Sequence, residues 1–269
     1  MRHRFYIGPL GLFCAAAFSA VYGAELHSFH CIGSCPEGAS ENNDIVVREI
    51  YTLSSNDITR MADWVAYRIT PESIGKSEGR LWAADPTLEA EERLKPSDYR
   101  GAPRTLRIDR GHQAPLASFA GTTHAADTNF LSNITPQSAA LNQGPWVKLE
   151  NAERTLVQSS SAPLYVLTGP LFERLMRPLP NGPQMHRVPS GYWKIVASPD
   201  GRATGFIMDQ ALPRDADYCE QRVPIIEIEL RVRLDIFPAN DEIGEQYLDN
   251  EIGCPKPRPE RPGPAEIPE

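Results

Sequence analysis

The residues best suited to catalysis stand in the run RIDRGHQAPLAS at residues 107–118. A short stretch of alternating pattern ends in Gly111, where the backbone can bend, and the next residue is His112. Histidine has an ordinary pKa that suits proton abstraction near neutral pH, and the Arg110 guanidinium suits a planar oxyanion such as phosphate. Taken alone, these residues favour a plainer interpretation, a turn histidine beside a surface pair of Asp109 and Arg110.

A second set of polar side chains follows in the sequence. Neutral amides stand at Asn133 and Asn142, and the carboxyl group of Glu150 lies eight residues after the second amide. An amide oxygen is a hard, neutral ligand appropriate to Mg²⁺, an ion that keeps several waters and needs few protein ligands. Turn and helix capping is the plainer alternative for both asparagines. Residues 133–135 also match a glycosylation sequon, a pattern too common to carry weight.

Three separated segments, in this order and spacing, resemble the DNA/RNA non-specific endonuclease family. They are DRGHQAPLAS at 109–118, LSNITPQ at 131–137, and LNQG at 141–144 with Trp146 and the Leu-Glu pair at 149–150. Shorter matches fit the same family and extend the resemblance from Cys31 to Cys254: WVAY at 64–67, TGP at 168–170 and YWK at 192–194. The arrangement of four cysteines in this region also fits.

The resemblance implies a ββα-metal core and a role for each candidate residue. A strand would carry His112 as the general base, and a following helix would carry Asn142 as the one direct protein ligand to Mg²⁺, with Mn²⁺ as the alternative ion. Glu150 would orient metal-bound water, and Asn133 would support the site. Three arginines would contact the phosphate or its transition state: Arg80, Arg110 and Arg154. For Arg80, which stands in the weaker context GRLW, an exposed loop arginine is the alternative.

The implied function is that of a secreted, Mg²⁺-dependent endonuclease that cuts DNA and RNA without sequence specificity and leaves 5′-phosphate ends. Hydrolysis needs an activated water, neutralised phosphoryl oxygens and a stabilised leaving 3′-oxygen, which a histidine, arginines and a metal ion supply in turn. Contacts to the phosphates carry no information about the base sequence, so cleavage without sequence specificity is expected. One alternative is a catalytically silent nucleic-acid-binding module, against which His112, Asn142 and Glu150 argue. Another is a hydrolase of smaller phosphodiesters, because a shared fold does not define a substrate.

The two ends of the chain differ in composition from its centre. Residues 1–24 combine two arginines, an apolar run and small residues near Ala24, the layout of a secretory signal peptide, which predicts an extracellular or periplasmic protein. A membrane anchor is the alternative, but the apolar run is short and interrupted. Six prolines within residues 255–269 predict an extended, disordered tail. Residues 25–254 are expected to form one endonuclease domain, and a homodimer is left open.

Four cysteines remain once residues 1–24 are removed, an even number that suits disulfides in an oxidising compartment. Of the three possible pairings we favour Cys31–Cys35 and Cys219–Cys254, because each closes a local loop. The alternative for the first pair is a metal site whose spacing matches no established zinc pattern, made by His27, His30, Cys31 and Cys35.

Considered over the whole chain, the net charge of −8 argues against nucleic-acid binding, since affinity for phosphates comes from Lys and Arg. The charge is unevenly distributed. Residues 93–112 hold six basic and two acidic side chains, whereas residues 214–251 hold four basic and eleven acidic ones. The acidity therefore lies away from the His112 motif, and attraction to polyanions should be local, weak and sensitive to salt.

The elements that must position these residues mix strands with helices. At 269 residues and 41% hydrophobic, the chain can bury a sizeable core. Alternation and β-branched content predict strands at 44–53, 65–69, 106–109, 163–168, 192–198 and 203–208. A helix is predicted over 137–158, with a conflict at Gly144-Pro145 that requires either a start near Pro145 or an irregular turn. Residues 223–237 are ambiguous. We predict an α+β domain with a mainly antiparallel sheet.

Overall fold

A seven-stranded antiparallel sheet forms the centre of the protein. The structure, a computed structural model, describes residues 25–77, 79–183, 186–240 and 242–255, so the predicted signal peptide and the tail beyond Pro255 lie outside the described residues. The strands are β1 (Asp44–Val47), β2 (Thr52–Asn56), β3 (Met61–Ile69), β4 (Ile108–His112), β5 (Ile134–Ser138), β6 (Leu164–Leu171), β7 (Gly191–Ala197), β8 (Ala203–Asp209) and β9 (Arg222–Val223). The sheet order is β1-β2-β3-β6-β7-β8-β9, while β4 and β5 pair separately. The predicted α+β class is confirmed.

Both faces of the large sheet are covered. Along β3, Val65 and Tyr67 belong to one apolar cluster, whereas Trp64 and Ala66 belong to another on the opposite face. The helices are α1 (Ala102–Leu106), α2 (Leu116–Phe119), α3 (Ala139–Leu141), α4 (Val147–Ser160) and α5 (Ile225–Val232). Helix α4 packs on the first face and α5 on the second. Strands buried on both faces explain the long apolar runs in the sequence.

Most predicted strands are present, but two boundaries are wrong. Residues 44–53 form two strands rather than one, because the Arg48 N–H donates to the Tyr51 carbonyl at 2.9 Å and turns the chain. Leu106 ends α1 instead of beginning a strand, and Arg107, with φ of 54°, caps that helix before β4 starts. The predicted hairpin is confirmed as β7 and β8.

The predicted helix over 137–158 is shorter and irregular. Gln137 belongs to β5, and α3 is followed by a π turn over residues 142–146 before α4 begins at Val147. Gly144 has φ and ψ of −115°, so the helix is broken there, and Pro145 follows the break. A Cβ at Gly144 would lie 2.5 Å from the Arg214 carbonyl oxygen, so only glycine permits this approach. The ambiguous segment 223–237 resolves as the end of β9, helix α5 and a loop.

Strands β4 and β5 and the helix that follows them form a ββα unit. The two strands pair antiparallel from Ile108 opposite Ser138 to His112 opposite Ile134. The chain then enters α3, the π turn and α4. The ββα arrangement that the resemblance implies is therefore present, with His112 at the end of a strand and Asn142 at the start of the helical segment.

Two disulfides are present, Cys31–Cys35 and Cys219–Cys254. The predicted pairing is confirmed, and the alternative metal site at the first pair is wrong because both of its sulfur atoms are used in a disulfide. Within the described residues, no helix combines the length and apolar character needed to cross a membrane.

His30 is buried beside the first disulfide. Its Nδ1 lies 2.9 Å from Thr52 Oγ1, and its Nε2 lies 3.3 Å from the Glu49 carbonyl oxygen. Burial lowers the pKa of His30 to about 4, although the Glu49 contact acts in the opposite direction. The folded protein therefore holds this imidazole in its neutral form.

The His30 environment predicts a loss of stability in mild acid. The unfolded chain binds a proton near pH 6.5 and the folded chain only near pH 4, so stability present above pH 6.5 is lost as the pH falls towards 4. We expect His30→Asn to reduce the slope of unfolding free energy against pH in this window by up to about 1.4 kcal/mol per pH unit. Urea unfolding at several pH values measures it, with exposed His27→Asn as control. An unchanged slope in the His30 variant would contradict the prediction.

Candidate active site

A cleft of about 530 Å³ lies where the ββα unit meets the segment before α1. Its lining brings together residues that are far apart in the sequence. Six of the seven predicted site residues line it: Arg80, Arg110, His112, Asn142, Glu150 and Arg154. The seventh, Asn133, does not. A larger cavity of about 790 Å³, beside α5, contains none of the predicted residues.

His112 stands at the end of β4, partly buried. Its Nε2 lies 3.2 Å from Asn129 Oδ1, and its ring centroid lies 5.2 Å from that of Trp82. A carbonyl oxygen only accepts hydrogen bonds, so the proton sits on Nε2 and Nδ1 keeps its lone pair. Burial lowers the pKa of His112 to about 4, with the Asn129 contact opposing and the charge of Arg80 adding to the effect. The imidazole is therefore neutral near pH 7, the form that can accept a proton.

Asn142 begins the π turn, and its amide is held by a neighbouring carboxylate. Its Nδ2 donates to Asp109 Oδ2 at 2.9 Å, and Gln143 Nε2 donates to the same oxygen at 2.8 Å. A carboxylate oxygen accepts hydrogen bonds, so the NH₂ group of the Asn142 amide faces Asp109 and the amide oxygen Oδ1 points away from it. No donor within the described part of the chain bonds Asn142 Oδ1. The oxygen is thus available to a cation in the cleft.

Glu150 lies in the first turn of α4 and is 8% exposed. Burial raises its pKa to about 6, while the nearby ammonium of Lys194 lowers it and the neighbouring carboxylate of Glu153 raises it. The carboxyl group is therefore mostly ionised at neutral pH but sits close to its titration range.

A fully buried ion pair lies behind Glu150. Lys194 Nζ is 3.1 Å from Glu153 Oε1 and donates to the Tyr67 hydroxyl at 3.4 Å. The ammonium also lies 4.3 Å from the centre of the Trp146 ring. Lys194 comes from β7 and Glu153 from α4, so the pair joins the helix of the cleft to the sheet beneath it.

The three predicted arginines lie on different elements around the cleft. Arg110, on β4, donates from Nη2 to the Pro96 carbonyl at 3.0 Å, and its guanidinium lies 5.1 Å from the Tyr99 ring centre. Arg154, on α4, donates to Ser118 Oγ at 3.2 Å. Arg80 is exposed. The plainer interpretation of an Asp109–Arg110 surface pair is wrong, because the two side chains have different partners.

Asn133 is fully buried and binds the backbone that follows His112. Its Nδ2 donates to the carbonyls of Ala114 and Thr128, and its Oδ1 accepts from the Ala114 N–H at 2.8 Å. The side chain therefore fixes the loop between the two short strands. Asn133 therefore contacts the backbone behind the site and does not line the cleft.

Four residues of the site were not singled out by the sequence. Asn129 orients His112, Asp109 orients Asn142, and both Trp82 and Arg214 line the cleft. Asp109 and Trp82 stand within quoted motifs, and Asn129 lies two residues before the second motif, so proximity in sequence was a usable signal. No sequence signal pointed to Arg214, because its place at the cleft depends on the close approach of its backbone to Gly144.

The cleft offers few acidic ligands. Among the described residues, one group of three carboxylates lies close enough together to hold a metal ion: Asp44, Asp57 and Glu92. None of these three residues lines the cleft. The cleft itself combines the Asn142 oxygen with the carboxylates of Asp109 and Glu150. Such a set fits an ion that keeps most of its waters, as Mg²⁺ does.

Several known proteins resemble this chain in sequence. The family model for DNA/RNA non-specific endonucleases matches residues 34–241. A protein named Nuclease from Serratia marcescens is 45% identical over 213 residues, which are 77% of this chain and 80% of the relative. Human mitochondrial Endonuclease G is 39% identical over 129 residues, 46% of this chain and 42% of that protein.

A solved structure shares the fold. In the crystal structure of a complex between EndoG and EndoGI, the matched chain superposes with a TM-score of 0.64 at 24% identity, covering 76% of this chain and 89% of that one. At this identity the likeness concerns the fold alone.

Proposed function

The chain belongs to the DNA/RNA non-specific endonuclease family, and from that premise we propose that it hydrolyses phosphodiester bonds of both DNA and RNA, with Mg²⁺ as its metal, leaving 5′-phosphate ends. One observation carries the proposal: a neutral histidine, an amide oxygen, two carboxylates and four arginines, drawn from distant parts of the sequence, line one cleft. Mn²⁺ is the alternative ion. The proposed residue roles follow from the contacts described above.

His112 is the proposed general base. Its neutral imidazole accepts a proton at Nδ1 from the water that attacks phosphorus, and Asn129 holds the ring in the required tautomer. The depressed pKa keeps the base unprotonated at neutral pH. It also means that the proton, once accepted, is readily passed on to solvent.

Asn142 and Glu150 are the proposed metal-site residues. Asn142 Oδ1 would bind the ion directly, because Asp109 occupies the amino side of the amide, and Glu150 would orient bound water. When bound, the metal ion supplies positive charge to the phosphate oxygens and the leaving 3′-oxygen. Asp109 acts as the residue that holds the amide in place.

The arginines are the proposed phosphate contacts. Arg110, held by the Pro96 carbonyl and stacked near Trp82 and Tyr99, keeps a fixed orientation. Arg80 and Arg154 supply charge from other sides of the cleft. These contacts concern the phosphate and not the bases or the 2′-hydroxyl, so indifference to sequence and sugar is expected.

Export is the proposed localisation. Two disulfides suit an oxidising compartment, and residues 1–24 have the pattern of a signal peptide. We propose residues 25–254 as the endonuclease domain, followed by the proline-rich tail. A homodimer stays a prediction.

The experiment uses the purified mature chain with supercoiled plasmid and with structured RNA, in Mg²⁺, in Mn²⁺ and in EDTA. We expect both polymers to be cut in Mg²⁺, neither in EDTA, and the product ends to carry 5′-phosphates. Binding without cutting would favour the silent module, and cleavage of a small phosphodiester alone would favour the narrower hydrolase. Either result overturns the proposal.

Asn142→Ala tests the metal assignment within the same assay. Loss of the amide oxygen should raise the Mg²⁺ concentration needed for half-maximal rate and lower the rate at saturation. The control is Gln143→Ala, which removes the other amide bound to Asp109. An unchanged Mg²⁺ requirement in the Asn142 variant would show that the ion binds elsewhere.

A further inference from the structure

Three arginines beside the cleft have no role in the reaction described so far. Arg100, Arg104 and Arg107 are exposed, and across the described residues none of their side chains has an ion pair or hydrogen-bond partner. We call this set the basic ridge. It contributes half of the six basic residues in the positive segment 93–112.

The basic ridge adjoins the cleft through α1. Pro103, the neighbour of Arg104, lines the cleft, and α1 runs directly into β4, the strand of His112. The Arg107 carbonyl accepts from the Ala139 N–H at 2.8 Å, three residues before Asn142. The ridge is thus tied to the same two strands that build the catalytic unit.

The backbone that carries the ridge is held in place. Tyr99 and Ala102 are buried in an apolar cluster with Ile108 and Ile134. The Arg100 carbonyl accepts from Asn181 Nδ2 at 2.6 Å. A rigid support reduces the entropy lost when long side chains bind a ligand.

Among the described residues, the two carboxylates of segment 93–112 form no ion pair with the ridge. Asp98 accepts from the Lys95 backbone N–H at 2.8 Å, and Asp109 is engaged by the amides of Asn142 and Gln143. Three exposed guanidinium groups without a partner among the described residues, carried on one short segment of chain, favour the approach of a polyanion. Water can solvate such charges one by one, but the segment that carries them also contributes Pro103 to the lining of the cleft.

We infer that the basic ridge is a second contact surface of the substrate, binding phosphates of the polynucleotide that flank the one being cut. The inference rests on the proposed function. Because the ridge lies outside the cleft, it contributes to polymers and not to a substrate with one phosphodiester. It raises affinity locally in a protein whose net charge of −8 opposes polyanions, and it makes that affinity depend on salt.

The test compares the wild-type chain with the triple variant R100Q/R104Q/R107Q. Binding of a long labelled duplex in EDTA, followed by fluorescence anisotropy over a range of salt, gives the slope of log affinity against log salt. Each lost phosphate contact reduces that slope by about 0.9, so the triple variant should lose about 2 to 3. In Mg²⁺, its KM for long DNA should rise severalfold with kcat unchanged, and its KM for a dinucleotide should not change.

A matched control removes the same charge elsewhere. The variant R202Q/R231Q/R233Q loses three arginines that do not line the cleft, and we expect its salt slope to stay within half a unit of wild type. Equal slopes for the ridge variant and wild type, or equal losses in both triple variants, would overturn the inference. Because binding is measured without metal, this result is independent of whether the chain cuts DNA. A wild-type chain that binds but does not cut would instead contradict the proposed function.

Discussion

Replacing His112 by alanine is expected to lower kcat by about 10²- to 10⁴-fold, the usual contribution of a positioned base. The fold should persist, since the side chain is only partly buried and its one hydrogen bond to a described residue is to Asn129. Steady-state cleavage of long DNA in saturating Mg²⁺ measures the effect. KM should change far less than kcat, because the phosphate contacts of the arginines remain.

The control for His112→Ala is His124→Ala, which removes an exposed imidazole outside the cleft lining. Added imidazole should restore part of the rate of the His112 variant, because a small base can enter the space left by the side chain. A merely structural histidine would not be rescued in this way. Near-native kcat in His112→Ala would show that another group removes the proton.

Lys194→Met is expected to destabilise the protein by about 3–5 kcal/mol, because it leaves the Glu153 carboxylate buried without its cation. Both side chains are 0% exposed, so solvent cannot replace the lost partner. The hydroxyl of Tyr67 remains near Glu153 but offers a single neutral donor at 3.5 Å. Urea unfolding at neutral pH, with disulfides intact, measures the loss.

The double variant Lys194→Met, Glu153→Leu separates the lost pair from lost packing. Removing both charges should recover most of the stability, since apolar groups of similar size in place of a buried ion pair are often tolerated. The surface pair Arg174–Asp209 offers the comparison, and Arg174→Met should cost less than about 1 kcal/mol. A double variant as unstable as the single one would show that shape, not charge, dominates at this position.

The local pattern of apolar, turn-forming and helix-breaking residues was sufficient to predict many of the strands and turns. The β7–β8 hairpin followed from the turn residues at 199–201 between two apolar runs. The conflict at Pro145 correctly marked the irregular turn before α4. The strand expected over 44–53 was wrong because nothing in its composition marks the reversal at which the Arg48 N–H donates to the Tyr51 carbonyl.

For the candidate site too, some residues could be proposed from the sequence, whereas other features depended on the folded structure. His112 and Asn142 were proposed from motifs that resemble those of the family, and the structure brings both side chains to one cleft. The supporting role expected for Asn133 stays a prediction, and the structure shows its side chain buried on the backbone that follows His112. The alternative metal site near His30 was wrong because disulfide formation depends on where two sulfurs meet, which spacing alone leaves open.

The sequence by itself determined the class of chemistry and the α+β architecture, since both depend on residue types and short-range order, and it favoured the disulfide pairs that the structure confirms. Only the tertiary structure decided that Asp109 serves Asn142, that Asn129 serves His112, and that a buried ion pair joins α4 to the sheet. The physical reason is that hydrogen bonds and ion pairs are short-ranged, so they form between side chains that strand pairing and helix packing bring within a few ångströms, whatever their separation along the chain.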